Sequence, residues 1–157
     1  MADLIKVQDL FTDLALNVSI NGRYPPVNDG GYAWQVDGTG TALGDGAGNV
    51  KFDSLGSTKI RTLQEDPVAI RAVWNDGAAS EGLMLYIGDS VGSVYPRYAY
   101  AGKFEPTLNL VKMYRVDNFI AIKIGSDIPV TFLAGDNTIV FSRVGNDFSA
   151  MVNGTVV

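Results

Sequence analysis

Asparagine–glycine and aspartate–glycine turn signals recur along the whole chain, and they limit it to a fold built from short segments. Asparagine, aspartate and glycine tolerate the positive φ angles that tight hairpin turns require, so such pairs mark places where a strand reverses. Turn signals at such short intervals favour β-hairpins over long helices. The signals are Asn21-Gly22, Asp29-Gly30-Gly31, Asp37-Gly38, Asp45-Gly46, Asn75-Asp76-Gly77, Gly145-Asn146-Asp147 and Asn153-Gly154.

The segments between these signals alternate with a period of two, which is typical of β-strands. In Val68–Trp74, for example, Val68, Ile70, Ala72 and Trp74 fall on one face of the predicted strand. Further strands are predicted at Leu108–Val116, Phe119–Ile124, Thr138–Val144, Phe148–Val152 and Thr155–Val157, with a hairpin around Gly145-Asn146-Asp147.

Only Asp3–Leu16 offers a helical pattern. Leu4, Val7, Phe11 and Leu14 recur every three or four residues, which would place them in one apolar stripe on a helix. A first strand fits the same residues, so a short N-terminal helix and a strand both stay open.

Elsewhere the pattern predicts an all-β fold: a two-sheet antiparallel β-sandwich of the jelly-roll kind. The 157 residues suit one domain, and no linker-like stretch or repeat of fixed period divides them. A chain of this length buries roughly 68–70% of its unfolded surface, so it needs no disulfide or metal to stabilise its core. We therefore expect a single β-sandwich domain over residues 1–157.

The chain contains neither cysteine nor histidine, which excludes several classes of enzyme. Thiol catalysis, the Ser-His-Asp triad, and zinc sites that use cysteine or histidine are all ruled out. The chemistries that remain are paired carboxylates, lysine chemistry, and magnesium or calcium held by carboxylates.

The charge balance also limits the partners. Twelve lysines and arginines against 17 aspartates and glutamates give a net charge of −5, whereas a surface that follows nucleic-acid phosphates needs clustered cations. No apolar stretch approaches the roughly 20 residues of a membrane span, and the N-terminus lacks the layout of a signal peptide. We expect a soluble chain, made without export, that binds neither nucleic acid nor membrane.

Several short motifs occur in an order that carries a family resemblance. Asp9-x-Phe11, Gly22-Arg23-Tyr24-Pro25 and Gly30-Gly31-Tyr32-Ala33-Trp34 open the chain, Gly82-Leu83-Met84-Leu85-Tyr86 lies at its centre, and Asn137–Phe141 with Phe148–Gly154 closes it. This order resembles the concanavalin A-like lectin/glucanase jelly roll, in the divergent form found in bacteriophage virion proteins. The resemblance implies a concanavalin A-like fold and a place in a virus particle.

The end of the chain departs from that family. Its members continue with more strands after the Asn-Gly turn, whereas only Thr155-Val156-Val157 follow Asn153-Gly154 here. Unpaired strand edges template association, so the sheet either keeps an open edge or is completed by a neighbouring subunit. Strand donation within a homo-oligomer is the hypothesis that follows, and a longer natural gene would remove the reason for it.

The catalytic motif of the family's glucanases is missing. They carry a Glu-x-Asp-x-Glu run, because retaining hydrolysis needs two carboxylates about 5–5.5 Å apart. Glu65, Glu81 and Glu105 are the only glutamates here, and none has an acidic residue two positions away. We therefore expect no enzyme and no catalytic residues, with glycoside hydrolysis the least favoured function.

A lectin-type calcium site is also poorly supported. Residues 44–49 offer one carboxylate, from Asp45, and one amide, from Asn49, whereas calcium takes about 6–8 oxygen ligands. A glycine-rich loop chosen for its backbone freedom is the favoured interpretation, although Asp29, Asp37 and Asp45 could still converge in space. No metal and no cofactor are expected.

Aromatic side chains are the better candidates for a binding site, since exposed rings stack on sugars and pack against partner proteins. We interpret Tyr98 and Tyr100 as pointing to opposite faces of a strand, so that at least one contacts solvent. Trp34 and Trp74 lie in apolar strand contexts and are predicted to pack in the core. The candidate carbohydrate- or partner-binding residues are Tyr24, Tyr32, Tyr95, Arg97, Tyr98 and Tyr100.

The function that these observations favour is a non-enzymatic structural or decoration component of a phage particle, either a capsid or a tail accessory protein. It would be made in the host cytoplasm, reside in the virion, form a homo-oligomer and bind other proteins of the capsid or tail lattice. A carbohydrate-binding lectin module is the alternative, and the two are compatible if the chain also binds host surface glycans.

Overall fold

A computed structural model describes residues 7–28, 33–38, 41–52, 58–61, 69–74, 82–88 and 97–157. The regular structure of these residues is antiparallel β-strand, apart from one 3-10 turn at Pro106–Leu108, so the predicted all-β class is confirmed. Within the same residues, no helix has the length and apolar character needed to cross a membrane.

The described residues fall into two compact units, one formed up to Arg61 and the other from Ala69 onward. Each unit has its own hydrophobic core. The single domain expected over residues 1–157 stays a prediction.

The described part of the first unit contains three antiparallel strand pairs: β1 (Val7–Gln8) with β2 (Val27–Asn28), β3 (Gln35–Gly38) with β6 (Thr58–Arg61), and β4 (Ala42–Gly44) with β5 (Val50–Phe52). Its core contains Leu14, Ile20 and Ala42. Gly44 lies so close to the loop at Ala15 that an added Cβ would clash with the carbonyl oxygen of that residue.

The N-terminal segment forms no helix between residues 7 and 16. β1 is followed by turns, so the strand alternative describes this part better than the helical stripe does.

The residues described in the second unit form two four-stranded antiparallel sheets. One has the order β8 (Leu83–Gly88), β9 (Tyr98–Glu105), β10 (Leu110–Asp117), β11 (Ile120–Pro129). The other has the order β7 (Ala69–Trp74), β12 (Asn137–Val144), β13 (Asp147–Val152), β14 (Thr155–Val156). Neighbouring strands in both sheets are consecutive in the chain, except that β12 pairs with β7.

The two sheets of this unit share one core, which is consistent with the predicted β-sandwich. Gly102 on β9 lets the sheets approach closely, because a Cβ there would lie 3.0 Å from Cδ2 of Phe141 on β12. The buried core residues are Leu85, Ile87, Phe104 and Val111 from one sheet and Ile139, Phe141, Ala150 and Val152 from the other.

Most predicted strands are confirmed, with small shifts at their starts. The hairpin around Gly145-Asn146 and the strand after Asn153-Gly154 occur as expected. The strand predicted from Leu108 begins at Leu110, because Pro106 cannot donate a ladder hydrogen bond and starts a 3-10 turn instead. The strand predicted over Phe119–Ile124 begins at Ile120, because Phe119 lies in the preceding hairpin turn, and it continues to Pro129.

Candidate functional site

The predicted site residues are divided between the two units. Arg97, Tyr98 and Tyr100 lie together on and just before β9 in the second unit. Tyr24 lies in a loop of the first unit and is 66% exposed. Tyr32 and Tyr95 fall outside the described residues.

The expectation that Tyr98 and Tyr100 point to opposite faces is wrong. Side chains two positions apart on a strand share a face, and both tyrosines lie on the face that continues to the buried Phe104. Tyr98 is 48% exposed and Tyr100 is 37% exposed. Both rings are therefore presented to solvent at the same end of the sheet.

Tyr100 is held by a stack of aromatic rings that reaches the core. Its ring lies 4.2 Å from that of Phe148 on the opposite sheet, at an interplanar angle of 23°. The ring of Phe148 lies 5.8 Å from that of the buried Phe141. Offset stacking of this kind stabilises each ring beyond its buried area, so Tyr100 is part of a preformed surface.

Arg97 connects Tyr98 to the neighbouring hairpin. Its guanidinium carbon lies 5.2 Å from the centre of the Tyr98 ring, within the range of a cation–π contact. Its backbone carbonyl accepts a hydrogen bond from the N–H of Phe119 at 3.3 Å. The start of β9 and the turn between β10 and β11 therefore support each other.

Phe119 occupies a strained position in that turn. Asn118 and Phe119 both have positive φ angles, 46° and 69°, as a two-residue type I′ hairpin requires. Glycine is favoured at the second position, because a side chain in the left-handed region costs about 1–2 kcal/mol. Phe119 is 41% exposed, so the turn holds an aromatic ring at the surface.

Cross-strand pairing places further side chains beside the two tyrosines. One row across the sheet is Tyr98, Asp117 and Ile120, and the next is Tyr100, Arg115 and Ile122. The Nη2 atom of Arg115 lies 3.9 Å from an Oδ2 atom of Asp117, and both side chains are about half exposed. We call this surface the aromatic end; it comprises Arg97, Tyr98, Tyr100, Arg115, Asp117, Phe119, Ile120 and Ile122.

Sequence reasoning missed the β10 and β11 members of the aromatic end. Ile120, Ile122 and Ile124 alternate within the strand predicted over Phe119–Ile124, and such an apolar alternation normally indicates a buried face. The local signal that points to Phe119 is the turn-favouring pair Asp117-Asn118 between two alternating segments.

Glu105 is the only one of the three glutamates that lies among the described residues, and its carboxylate forms ion pairs with two lysines. Nζ of Lys103 lies 2.5 Å from Oε1, and Nζ of Lys112 lies 2.5 Å from Oε2. The contact of Lys112 is an ion pair without hydrogen-bond geometry. Burial alone would raise the pKa of Glu105, but the hydrogen bond from Lys103 and the charge of Lys112 hold that pKa below its usual value. A carboxylate held ionised in this way is poorly suited to act as a general acid.

The opening motifs of the sequence meet around Asp9 in the first unit. Its carboxylate accepts hydrogen bonds from Nε and Nη2 of Arg23 at 2.7 and 3.0 Å and from Nε1 of Trp34 at 3.1 Å. The backbone N–H of Phe11 donates a further bond at 2.9 Å. Burial raises the pKa of Asp9, but the bonds from Arg23, Phe11 and Trp34 outweigh it, so the pKa is lowered. Both oxygens of this buried carboxylate accept two hydrogen bonds each, and these bonds connect three loop segments.

Asp45 is likewise engaged within its own loop. Its carboxylate accepts bonds from the N–H of Ala47 at 2.7 Å, and from the N–H and Nδ2 of Asn49, both at 2.9 Å. No group of three or more acidic side chains able to hold a metal occurs among the described residues. Asp29 and the side chain of Asp37 are not among them. The contacts of Asp45 favour the interpretation of a glycine-rich structural loop.

Comparisons with protein-family models, with curated proteins and with solved structures found no match to this chain. The resemblance to concanavalin A-like proteins therefore rests on its sequence motifs alone.

Proposed function

We propose that this chain is a non-enzymatic structural or decoration component of a phage particle, a capsid or tail accessory protein that binds the virion lattice through the aromatic end. The supporting observation is that Tyr98 on β9, Phe119 in the turn between β10 and β11, and Ile120 on β11 are all exposed at the same end of the sheet. The phage assignment itself is supported by the sequence resemblance. The chain would be made in the host cytoplasm and reside in the virion.

The chemistry of the aromatic end suits a protein partner. Tyrosine, phenylalanine and arginine are enriched in the buried centres of protein interfaces, where a few such residues supply most of the binding energy. The strands and the stack under Tyr100 fix these side chains before binding, so little conformational entropy is lost on association. The strain at Phe119 supports the same role, because strained positions cluster where function needs them.

The finer fold assignment, a concanavalin A-like jelly roll, is part of the same proposal. It is supported by the two antiparallel sheets that share a core and by the order of the sequence motifs. A jelly roll adds particular connections between strands, and those through residues 62–68, 75–81 and 89–96 fall outside the described part of the chain.

The test is the protein content of purified particles of the phage that carries the gene. We expect mass spectrometry to find the chain at a fixed ratio to a lattice protein. Tyr98→Ala together with Ile120→Lys should lower that ratio at least about tenfold, since central aromatic and apolar residues each contribute more than about 1 kcal/mol. Val144→Ala, at another exposed apolar position, is the control. Particles without the chain, or an unchanged ratio in the double variant, would contradict the proposal.

A carbohydrate-binding lectin module is the second candidate, and the pairing of Arg97 with Tyr98 favours it. An exposed ring offers a stacking platform, and the nearby Arg115 and Asp117 offer a donor and an acceptor for sugar hydroxyls. A glycan array probed with the purified chain tests this function. Binding that is lost in Tyr98→Ala and retained in Tyr24→Ala would support it, whereas an array with no binding would leave only the structural role.

A further inference from the structure

The first half of β11, Ile120–Ile124, forms an edge of its sheet in the described part of the second unit. It pairs with β10 on one side only, and its three isoleucines are all exposed. An apolar strand with a free edge is a template for the addition of another strand. We propose that a second copy of this chain occupies this edge, with the two β11 strands antiparallel about a two-fold axis at Ile122.

The turn before β11 determines which backbone groups are free. In a two-residue hairpin the N–H of Ile120 donates to the carbonyl of Asp117, so Ile120 directs its backbone groups towards β10. Because this direction alternates along an antiparallel strand, Ile122 and Ile124 also face β10. Ala121 and Lys123 therefore direct their N–H and C=O groups to the free edge.

These free groups are self-complementary in one register. When Ile122 lies opposite Ile122 of the second copy, Ala121 of each copy lies opposite Lys123 of the other. Each Ala121–Lys123 pair then exchanges two backbone hydrogen bonds. The axis keeps the inner faces of both copies on the same side, so Ile120 of each copy also packs against Ile124 of the other.

Side-chain charge and size select this register over its neighbours. A shift of two residues in one direction places Lys123 directly opposite Lys123 of the other copy, and like charges in that position are destabilising. A shift in the other direction leaves Ile124 opposite Asn118 in the turn. The proposed register pairs all the isoleucines and places each Lys123 opposite the small Ala121.

A bulge in β11 limits how far this pairing extends. Val111 pairs with Ile128 and Met113 with Ile124, so residues 125–127 lie opposite Lys112 alone. Bulges disrupt the ladder and twist an edge away from a partner strand. Pairing therefore ends at Ile124, and the two-fold axis uses the same edge in both copies, which closes the assembly at a dimer. The dimer shares the side chains of Ile120 and Ile122 with the aromatic end, but its backbone hydrogen bonds involve only Ala121 and Lys123.

Disulfide cross-linking of the full chain tests the register, since the protein has no cysteine of its own. Opposed residues that do not exchange hydrogen bonds have Cα atoms about 4.5 Å apart, which a disulfide can span. We expect Ile122→Cys to form a covalent dimer on oxidation. Ile120→Cys and Ile124→Cys should each cross-link poorly alone but efficiently when mixed. Efficient cross-linking of either variant alone, or none for Ile122→Cys, would overturn the register.

Sedimentation of the unmodified chain tests the dimer itself. Ala121→Pro removes an N–H that points away from β10, so the hydrogen bonds between β10 and β11 are kept. Because each copy loses this donor, the dimer loses two hydrogen bonds and should be weakened at least about tenfold. Lys123→Ala keeps the outward backbone groups and should leave the dimer intact, with circular dichroism checking that each variant folds. A chain that stays monomeric up to about 1 mM would overturn the proposal. So would an Ala121→Pro chain that is folded and dimerises as tightly as the unmodified one.

Discussion

At the scale of single residues, Phe119 has a side chain that suits the surface of the protein but does not suit the backbone conformation of its turn. The turn needs a residue that tolerates a positive φ, and glycine would meet that need without strain. The chain instead places a phenylalanine there, whose backbone N–H donates to the carbonyl of Arg97 and whose side chain is 41% exposed. The backbone at this position is therefore strained in favour of the side chain.

Two substitutions at Phe119 isolate that strain. Phe119→Ala and Phe119→Gly both remove the ring, but only alanine keeps a Cβ in the left-handed region. We expect the glycine variant to have the larger free energy of unfolding, by about 1 kcal/mol, in urea denaturation. Equal stabilities would show that the turn relaxes when the ring is removed.

Asp9 is the second residue whose behaviour can be tested alone. Its pKa is lowered in the folded chain, so the unfolded chain binds more protons at acid pH. The stability that Asp9 contributes is therefore present above its unfolded pKa of about 3.9 and is lost as the pH falls through the lower folded value.

The measurement is urea denaturation at a series of pH values for the unmodified chain and for Asp9→Asn. At neutral pH the variant should be less stable by about 2–3 kcal/mol, since hydrogen bonds to a charged group are lost. The difference should shrink below about pH 4. A difference that is independent of pH would mean that Asp9 is not ionised in the folded protein.

At the scale of elements, alternation and turn signals predicted the strands but not their exposure. The hairpin from Asn137 to Val152 follows from a Gly-Asn loop between alternating segments, which is local information. The alternation of Ile120, Ile122 and Ile124 looks the same in the sequence, yet these residues are exposed because the opposite sheet does not cover them. Similarly, the contact of Glu105 with Lys112 depends on the register between β9 and β10, which no local pattern specifies.

Gly102 is the position where the close approach of the two sheets can be tested by substitution. Gly102→Val would force branched atoms against Phe141, and overpacking of this kind costs about 1–3 kcal/mol. Gly135→Ala is the matched control, because an added Cβ there meets nothing within 4 Å. Thermal unfolding should show a lower midpoint for the valine variant only. Equal midpoints for the two variants would mean that the sheets separate without cost at Gly102.

At the scale of the whole molecule, composition excluded thiol and imidazole chemistry, and the turn spacing predicted the all-β class. The aromatic end was predicted in part, through Arg97, Tyr98 and Tyr100. Its other half comes from strands more than ten residues further along the chain, and pairing of that kind depends on register rather than on local sequence.

The two tryptophans provide a test of the predicted single domain. Trp34 belongs to the first unit and Trp74 to the second, and the chain has no others. If residues 1–157 form one domain, Trp34→Phe and Trp74→Phe variants should unfold in urea at midpoints that agree between fluorescence and circular dichroism. Two separate transitions, each reported by a different tryptophan, would show that the units unfold independently.

The ring stack of Tyr100, Phe148 and Phe141 gives the molecule a natural optical probe. Its outer ring meets solvent and its inner ring is immobilised in the interior, so the three chromophores lie in a fixed chiral arrangement. Near-ultraviolet ellipticity from this arrangement depends on the tilt of the outermost ring. Binding of any molecule over Tyr100 would therefore change the near-ultraviolet ellipticity, and this change could be measured without a label and before the molecule is identified.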